Sequence, residues 1–410
     1  MPHVGLPVRL IPPTAGIRLL ALDGGGVRGI IPLVLLQNLE GSLHKWNIPL
    51  SETFDFVCGT SAGGLVIIGL FLMKWDAGTC IGKFEKLAER YDVIRAHKSE
   101  HDVSISDAAS CTSAAPWYFK PKSIKHVGTF QDGGLQHNNP LSIALWELKH
   151  LWASKATPDF ALSVGTGYTD SLFSKTTIGG QSPVKDRFIA RVLNTFMKSL
   201  DGEKIWKEFY NSLPEDSRNR FHRINLMVKG TEPAIDDLAG MLTLKTQAQD
   251  YARASGSLQP ALDSIVASSF YYEMEDMPVF ANGLYHCVGH IFCRLPLPQE
   301  GRRRLYTELM STSSYFIVLG HPVACIERIT KNLPMFKRRV QFTLGSLDDN
   351  INITLRGIVP TPLTISGLPK TARQLIDLQG LYAPFGRMDY TRAERCLPQI
   401  PLKRKRSNMF

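Results

Sequence analysis

A serine stands between two glycines where two apolar runs of this 410-residue chain meet. The run Phe54–Cys58 has the composition of a short strand, and Leu65–Met73 has that of a helix. Between them, Gly59-Thr-Ser-Ala-Gly63-Gly64 fits the pattern G-x-S-x-G. A strand that turns sharply into a helix needs glycine near the turn, because a Cβ there would collide with neighbouring backbone. The pattern predicts such a turn, with the hydroxyl of Ser61 pushed outward at the start of a helix.

A second glycine-rich turn follows the strand-like run Ile17–Leu22, as Asp23-Gly-Gly-Gly-Val-Arg28-Gly29. Backbone amides in such a loop can donate to an oxyanion beside a nucleophile, which makes Gly24, Gly25 and Gly26 candidate donors. The same glycines fit the dinucleotide-binding pattern G-x-G-x-x-G, but residues 41–49, where an acidic residue should close a second strand, contain none. An oxyanion-binding loop is therefore favoured over dinucleotide binding, and a plain tight turn remains the simple alternative.

Arg28 follows this loop directly. A guanidinium group can hold two oxygens of a phosphate at once, so Arg28 is a candidate contact for a substrate phosphate. A solvated arginine at the start of a helix is an equally good interpretation.

A third glycine-rich turn carries a carboxylate, in Phe130-Gln-Asp132-Gly-Gly, ahead of a predicted helix over Leu141–Trp152. A serine hydroxyl is a weak nucleophile and needs a base, which can be a carboxylate whose proton affinity is raised by burial. Asp132 is the candidate base for Ser61, and an ordinary Asp-Gly turn is the alternative. His126 and His137 flank Asp132 and leave a Ser-His-Asp triad open.

In this order, the three motifs resemble the patatin-like phospholipase family. Further stretches resemble its fungal and animal calcium-independent phospholipase branches: Thr112–Phe119, His137–Pro140 and Leu162–Gly167. The resemblance covers about residues 15–250 and implies an α/β fold, a layered sheet with helices on both faces. It also implies cleavage of carboxylic esters of phospholipids or lysophospholipids without a cofactor. In that family's terms, Ser61 is the nucleophile, Asp132 the base of a dyad without histidine, and the amides of Gly24 to Gly26 form the oxyanion hole.

The interval from Ser61 to Asp132 spans 71 positions, fewer than in most members of that family. Its part Phe84–Ser110 is polar and has little that could serve as a buried strand. This shortness favours a competing hypothesis, in which the chain is a catalytically impaired module that binds lipid or acts in signalling. The three intact motifs favour the enzyme.

Composition indicates a globular protein with at least two domains, since 44% of residues are hydrophobic and 20% charged. The N-terminal residues do not have the pattern of a secretion signal, and the apolar run Ala62–Met73 is too short to span a bilayer. Seven scattered cysteines fit a reducing compartment better than a disulfide framework. We therefore expect a cytoplasmic protein.

The formal net charge of +10 predicts an acidic partner. Basic clusters lie at residues 302–304, 337–339 and 403–406. For an enzyme acting on lipids they favour peripheral contact with an anionic membrane surface, whereas nucleic acid is a less favoured partner. The last cluster is equally compatible with a nuclear-import signal or a disordered tail.

The pattern changes near residue 255, where helical periodicity gives way to short strand-like runs separated by glycine and proline. We therefore predict an N-terminal extension over 1–14, a hydrolase domain over 15–254, a β-rich accessory domain over 255–397 and a basic tail over 398–410. Four possible zinc ligands lie close together in the accessory domain: His286, Cys287, His290 and Cys293. Structural zinc sites usually draw ligand pairs from two separated segments, so ordinary side chains are favoured and no metal is expected.

Overall fold

The computed structural model describes residues 11–89, 104–115, 119–155, 157–169, 201–230, 237–254, 256–325 and 336–382. Its strands are β1 Arg18–Leu22, β2 Phe56–Gly59, β3 Lys122–Ile124, β4 Gly128–Phe130, β5 Phe160–Val164, β6 Phe221–Ile224, β7 Phe270–Met274, β8 Val279–Ala281, β9 Leu284–Cys293, β10 Tyr315–Val318, β11 His321–Ala324, β12 Lys337–Leu344, β13 Asn350–Ile351, β14 Ile353–Arg356, β15 Leu363–Thr364 and β16 Lys370–Thr371. Its α-helices are α1 Ile30–His44, α2 Ala62–Ile67, α3 Ala77–Glu89, α4 Ile105–Thr112, α5 Gly134–His137, α6 Leu141–Leu151, α7 Gly202–Ser212, α8 Glu215–Arg218, α9 Leu238–Arg253, α10 Gln259–Ala267, α11 Gln299–Ser311 and α12 Ala372–Gln379.

A parallel sheet in the order β2-β1-β5-β6 forms the centre of the N-terminal part. Successive side chains of a strand point to opposite faces. In β1, Leu20 and Leu22 accordingly join the apolar cluster that includes α1 and α9, while Leu19 and Ala21 join a second cluster with α6 and α7. Helices cover both faces of the sheet, which confirms the predicted α/β class.

The C-terminal part is antiparallel and rich in strands, also as predicted. One sheet has the order β12-β9-β7, with β8 paired to β9, and another has the order β11-β10-β14-β15. The β9 strand contains the four possible zinc ligands. His286 is exposed and its neighbour Cys287 is buried, because adjacent side chains of a strand face opposite ways. These two residues therefore cannot bind one ion together.

The predicted helix over Leu65–Met73 begins earlier and ends differently in the structure. It starts at Ala62, directly after the serine, and changes at Ile68–Leu72 into a π-helical turn. Within Phe84–Ser110, the described residues belong to α3, to α4 and to the residue before α4, and contain no strand, in agreement with the sequence. Residues 90–103 of that segment lie outside the described ranges.

The expected division at residue 254 lies between α9 and α10, and it stays a prediction. Buried apolar side chains on both sides of it, from Leu20 to Ile376, belong to one continuous cluster. Most of the predicted extension over 1–14, and all of the tail over 398–410, lie outside the described residues. In the part of the chain that is described, no helix combines the length and apolar character needed to cross a membrane.

A buried ionic cluster joins the C-terminal part to the amino ends of the parallel strands. Arg294 contacts Asp55 at 3.3 Å and Asp159 at 3.4 Å, and its other nitrogens donate to the carbonyls of Gly16 and Ser268. Arg18, which is fully buried, donates to the same Asp55 at 2.9 Å. Burial raises the pKa of Asp55, but Arg18 and Arg294 outweigh it and hold that pKa well below its usual range. Arg294 is thus the cation shared by both parts of the protein.

Replacing this arginine should destabilise the whole protein. We expect Arg294→Met to lower the free energy of unfolding by about 3 to 5 kcal/mol, because two buried carboxylates lose a partner. The matched control is Arg339→Met at the exposed Arg339–Glu275 pair, where a loss below about 1 kcal/mol is expected. Chemical denaturation measures both variants, and equal losses would contradict the role assigned to Arg294.

Candidate active site

Ser61 occupies a strained turn between β2 and α2. Its φ is 51° and its ψ is −122°, a conformation that costs a residue with a side chain about 1 to 3 kcal/mol. Two hydrogen bonds hold the turn from outside. The Ser61 amide donates to Thr112 Oγ1 at 2.9 Å, and Thr60 Oγ1 donates to the carbonyl of His137 at 2.8 Å. The half-buried Ser61 therefore has a fixed backbone at the beginning of α2.

The glycines of this turn are required by close contact between backbones. A Cβ at Gly59 would lie 2.5 Å from the carbonyl of Gly63, and one at Gly63 would lie 2.5 Å from the carbonyl oxygen of Leu22. Either contact is too short for any other residue. The strand, the turn and the start of the helix therefore pack as the G-x-S-x-G pattern predicts.

Asp132 lies against Ser61 although 71 positions separate them. The Ser61 side chain lies close enough to the carboxyl of Asp132 to lower its pKa as a hydrogen-bonding partner, and the Gly134 amide donates to Asp132 Oδ1 at 2.8 Å. The backbone is tied in place, since the Asp132 amide donates to Ala114 at 3.0 Å. Asp132 is only 4% exposed. Burial raises the pKa of its carboxyl, the two hydrogen bonds lower it, and the net direction is upward.

The loop Gly24–Gly26 lies beside Ser61. A Cβ at Gly24 would come within 3.1 Å of the Ser61 Cβ. The Gly24 amide donates to the carbonyl of Asn138 at 3.1 Å, so this member of the predicted donor set already has a partner in the protein. The amides of Gly25 and Gly26 have no acceptor among the described residues.

Hydrogen bonds to the neighbouring carbonyls fix the direction of these two amides. Thr166 Oγ1 donates to the Gly24 carbonyl at 2.7 Å, and the Arg28 amide donates to the Gly25 carbonyl at 3.1 Å. The C=O and N–H of a trans peptide point in opposite directions. The Gly25 and Gly26 amides are therefore held pointing away from Thr166 and Arg28 respectively.

Arg28 is only 2% exposed, so its interpretation as a solvated arginine is wrong. Its Nε lies 3.4 Å from the Gly25 carbonyl, and Asp23 and Asp201 are close enough to raise the pKa of its guanidinium group. Burial lowers its pKa to about 10, although both carboxylates act in the opposite direction. Arg28 therefore supports the glycine loop through the Gly25 carbonyl, which accepts from both its side chain and its amide.

Asp23, the residue before the glycine loop, forms a buried ion pair that the sequence analysis did not predict. Arg223 on β6 binds Asp23 through two nitrogens, at 2.7 and 3.0 Å, and also donates to Ser163 at 2.7 Å. Burial lowers the pKa of Arg223, but Asp23 and Glu203 raise it by more. The aspartate that opens the glycine motif is therefore anchored to the last strand of the sheet, and nothing in the local pattern near Arg223 indicates this pairing.

The two histidines do not enter the site through their rings. His126 and His137 are exposed, and in the described parts of the chain neither ring forms a hydrogen bond with Ser61 or Asp132. His137 contributes its backbone carbonyl, which accepts from Thr60. Among the described residues, neither ring is therefore placed as the histidine of a triad with Ser61 and Asp132.

Thr112 is a further site residue to which the sequence analysis gave no role. It belongs to the Thr112–Phe119 stretch that carries part of the family resemblance, and it ends α4. Its Oγ1 accepts from the Ser61 amide, and a Cβ at Gly64 would lie 2.7 Å from that same oxygen. The sequence signal for a role of Thr112 was its position within that stretch. Its contact with Ser61 could not be predicted, because it depends on how α4 packs on α2.

Comparison with known proteins places the chain beside lipid hydrolases. The family model described as "Patatin-like phospholipase" matches residues 20–92 and 80–145. Calcium-independent phospholipase A2-gamma of Rattus norvegicus is 25% identical over 288 residues, 51% of this chain and 35% of that protein. A cGAMP-activated phospholipase of Pseudomonas aeruginosa is 30% identical over 196 residues, 33% of this chain and 58% of that protein. The chain thus spans about a third of the first relative's length.

The second alignment is longer than the part of this chain that it covers. It extends over 196 positions but covers only 33% of this 410-residue chain. The alignment therefore includes positions of the bacterial protein that have no counterpart here. The family model also matches in two overlapping stretches rather than one.

Loss of the Thr112 hydroxyl should weaken the serine turn. We expect Thr112→Val, which keeps the shape but removes the acceptor, to lower the free energy of unfolding by about 1 to 3 kcal/mol, because the Ser61 amide loses its partner. Thr112→Ser, the control, keeps the oxygen and should lose less than half as much. Urea denaturation at neutral pH compares the three proteins, and equal losses would contradict the role of the hydrogen bond.

Proposed function

We propose that this chain, which belongs to the patatin-like phospholipase family through residues 20–145, is a lipid acyl hydrolase of the phospholipase or lysophospholipase type. The observation that carries the proposal is the closeness of the Ser61 side chain to the buried carboxyl of Asp132, next to a glycine loop with two directed amides. A nucleophile, a base and oxyanion donors are the groups that ester cleavage requires.

In the proposed reaction, Asp132 takes the proton of Ser61 while Ser61 Oγ bonds to the carbonyl carbon of the ester. The carbonyl oxygen becomes an oxyanion, which the amides of Gly25 and Gly26 stabilise. The carbon–oxygen bond to the alcohol then breaks, and the proton on Asp132 passes to the departing oxygen. Water, deprotonated by Asp132, releases the fatty acid and restores the serine.

Burial of Asp132 supports this role. A carboxylate with an ordinary pKa is a weak base toward a hydroxyl, and a raised pKa increases its proton affinity. No histidine is needed as an intermediary in this scheme. The competing hypothesis of a catalytically impaired lipid-binding module has less support, since a module that only binds lipid would not need a buried carboxylate in contact with a serine.

The proposed substrate is a phospholipid or a lysophospholipid at an anionic membrane surface. Nucleic acid is the less favoured acidic partner, because the matching family model is that of a phospholipase. Arg28 lies under the loop and supplies positive charge close to the oxyanion donors, where it favours an anionic substrate group. The proposed location is the cytoplasm, with peripheral membrane association.

A fluorophosphonate probe and a soluble short-chain ester test the proposal. Wild-type protein should be labelled at Ser61 and should hydrolyse the ester. Ser61→Ala and Asp132→Asn should each reduce hydrolysis by at least about a thousandfold, because nucleophile and base act as a unit. Absence of labelling in folded wild-type protein, or equal rates in all three proteins, would refute the proposed function.

Asp132→Asn should lose activity without losing stability. Because the pKa of Asp132 is raised in the folded protein, its stabilising contribution is fully present below the unfolded pKa, about 3.9, and is lost as pH rises through the folded value. At pH 7 the ionised carboxylate therefore costs stability. We expect Asp132→Asn to unfold at higher urea concentration than wild type at pH 7, with the difference shrinking toward pH 4. A lower midpoint at pH 7 would contradict this assignment.

A further inference from the structure

A basic hairpin with exposed apolar side chains leads directly into the candidate active site. It runs from Phe119 to Phe130 and consists of β3, β4 and the turn between them. Phe119 is 53% exposed, Val127 in the turn 58% and Phe130 37%. Large side chains of this kind are usually buried, so three of them on one hairpin require an explanation.

The charge of the hairpin is of one sign. Residues 119–131 include Lys120, Lys122 and Lys125 and no acidic residue. Lys122 binds Asp107 of α4 at 2.7 Å, while Lys120 and Lys125 are exposed and form no ion pair within the described residues. Apolar side chains between free lysines are typical of surfaces that lie on anionic lipid headgroups.

The other basic clusters in the described ranges are less suited to this role. Arg303 and Arg304 both pair with Glu300 on their own helix, and Arg339 pairs with Glu275. Their charge is therefore partly neutralised. Among the basic clusters in the described ranges, the hairpin is the one that combines two lysines without an ion pair with exposed apolar side chains close to the site.

The connection between hairpin and site is short. Phe130, the last residue of β4, stands two positions before Asp132. The Lys122–Asp107 bridge ties β3 to α4, which ends at Thr112, the residue that holds the Ser61 amide. A surface that touches the hairpin therefore lies close to both proposed catalytic residues.

We propose that the Phe119–Phe130 hairpin docks the protein on an anionic lipid bilayer. Phe119, Val127 and Phe130 enter the headgroup region, and Lys120 and Lys125 contact the anionic headgroups. This inference rests on the proposed function for the substrate that the bilayer would supply, but docking itself does not require catalysis.

Co-sedimentation of the full chain with vesicles tests the docking. The vesicles are phosphatidylcholine alone or phosphatidylcholine mixed with phosphatidylserine. Lys120→Gln/Lys125→Gln should weaken binding to the mixed vesicles by about twenty-five-fold, at about fivefold per lysine, and leave binding to neutral vesicles unchanged. Phe119→Ser/Val127→Ser should weaken binding to both kinds of vesicle by about tenfold or more.

The matched control is Val279→Ser/Phe280→Ser, on the hairpin of β8 and β9. These side chains are 65% and 61% exposed, but Glu275 and Asp276 precede them in the chain. This variant should bind vesicles as wild type does. Equal loss in the control, or wild-type binding in both Phe119–Phe130 variants, would overturn the proposal and favour a protein partner for that hairpin.

Hydrolysis of the soluble ester separates this test from that of the proposed function. All three surface variants should cleave the monomeric ester at the wild-type rate, because their side chains lie outside the reacting groups. If wild type cleaves no ester, the proposed function fails while the vesicle data still decide docking. If wild type cleaves the ester and the hairpin variants bind vesicles normally, only the docking proposal fails.

Discussion

The site depends on the contact between the backbone of the serine turn and the end of β1. Gly63 lies against the carbonyl of Leu22 so closely that no Cβ fits, and Leu22 pairs with Gly59 in the parallel sheet. This register brings two loops to the same edge, because the carboxyl ends of parallel strands lie together. The glycine loop leaves β1 and Ser61 leaves β2 at neighbouring points. The strain at Ser61 persists because hydrogen bonds to Thr112 and His137 hold the turn in this conformation.

Preorganisation extends from the serine to each group that would touch an ester. The peptide units before Gly25 and Gly26 are fixed by Thr166 and Arg28, and the Asp132 backbone is fixed by Ala114. None of these partners needs to touch substrate. They remove freedom that would otherwise have to be lost when charge develops on the ester oxygen, which is how fixed donors lower a reaction barrier. The buried Arg223 also restrains the glycine loop, because it binds Asp23 at the start of that loop.

Much of this arrangement could be predicted from the chain, and the reasons differ between residues. Ser61 and the glycine loop were predictable because a tight turn allows only glycine at certain positions, which leaves a local pattern. Their closeness to Asp132 was predicted from the order of the three motifs and from the family resemblance. Arg223 and Arg294 could not be found in this way, because buried ion pairs between residues 135 or 200 positions apart have no local sequence signal. Arg28 was ambiguous for the same reason, since its burial depends on elements far along the chain.

The short interval after Ser61 looks different once its contacts are known. The sequence favoured an impaired module, since Phe84–Ser110 within this interval is short and polar and was expected to offer little for a buried strand. Yet this interval supplies the Thr112 acceptor for the Ser61 amide, the Ala114 acceptor for the Asp132 amide and Asp132 itself. What the interval must do for the reacting groups is hold a serine and a carboxylate in contact, and a few hydrogen bonds from one helix end suffice. The shortened length therefore does not keep the two side chains apart.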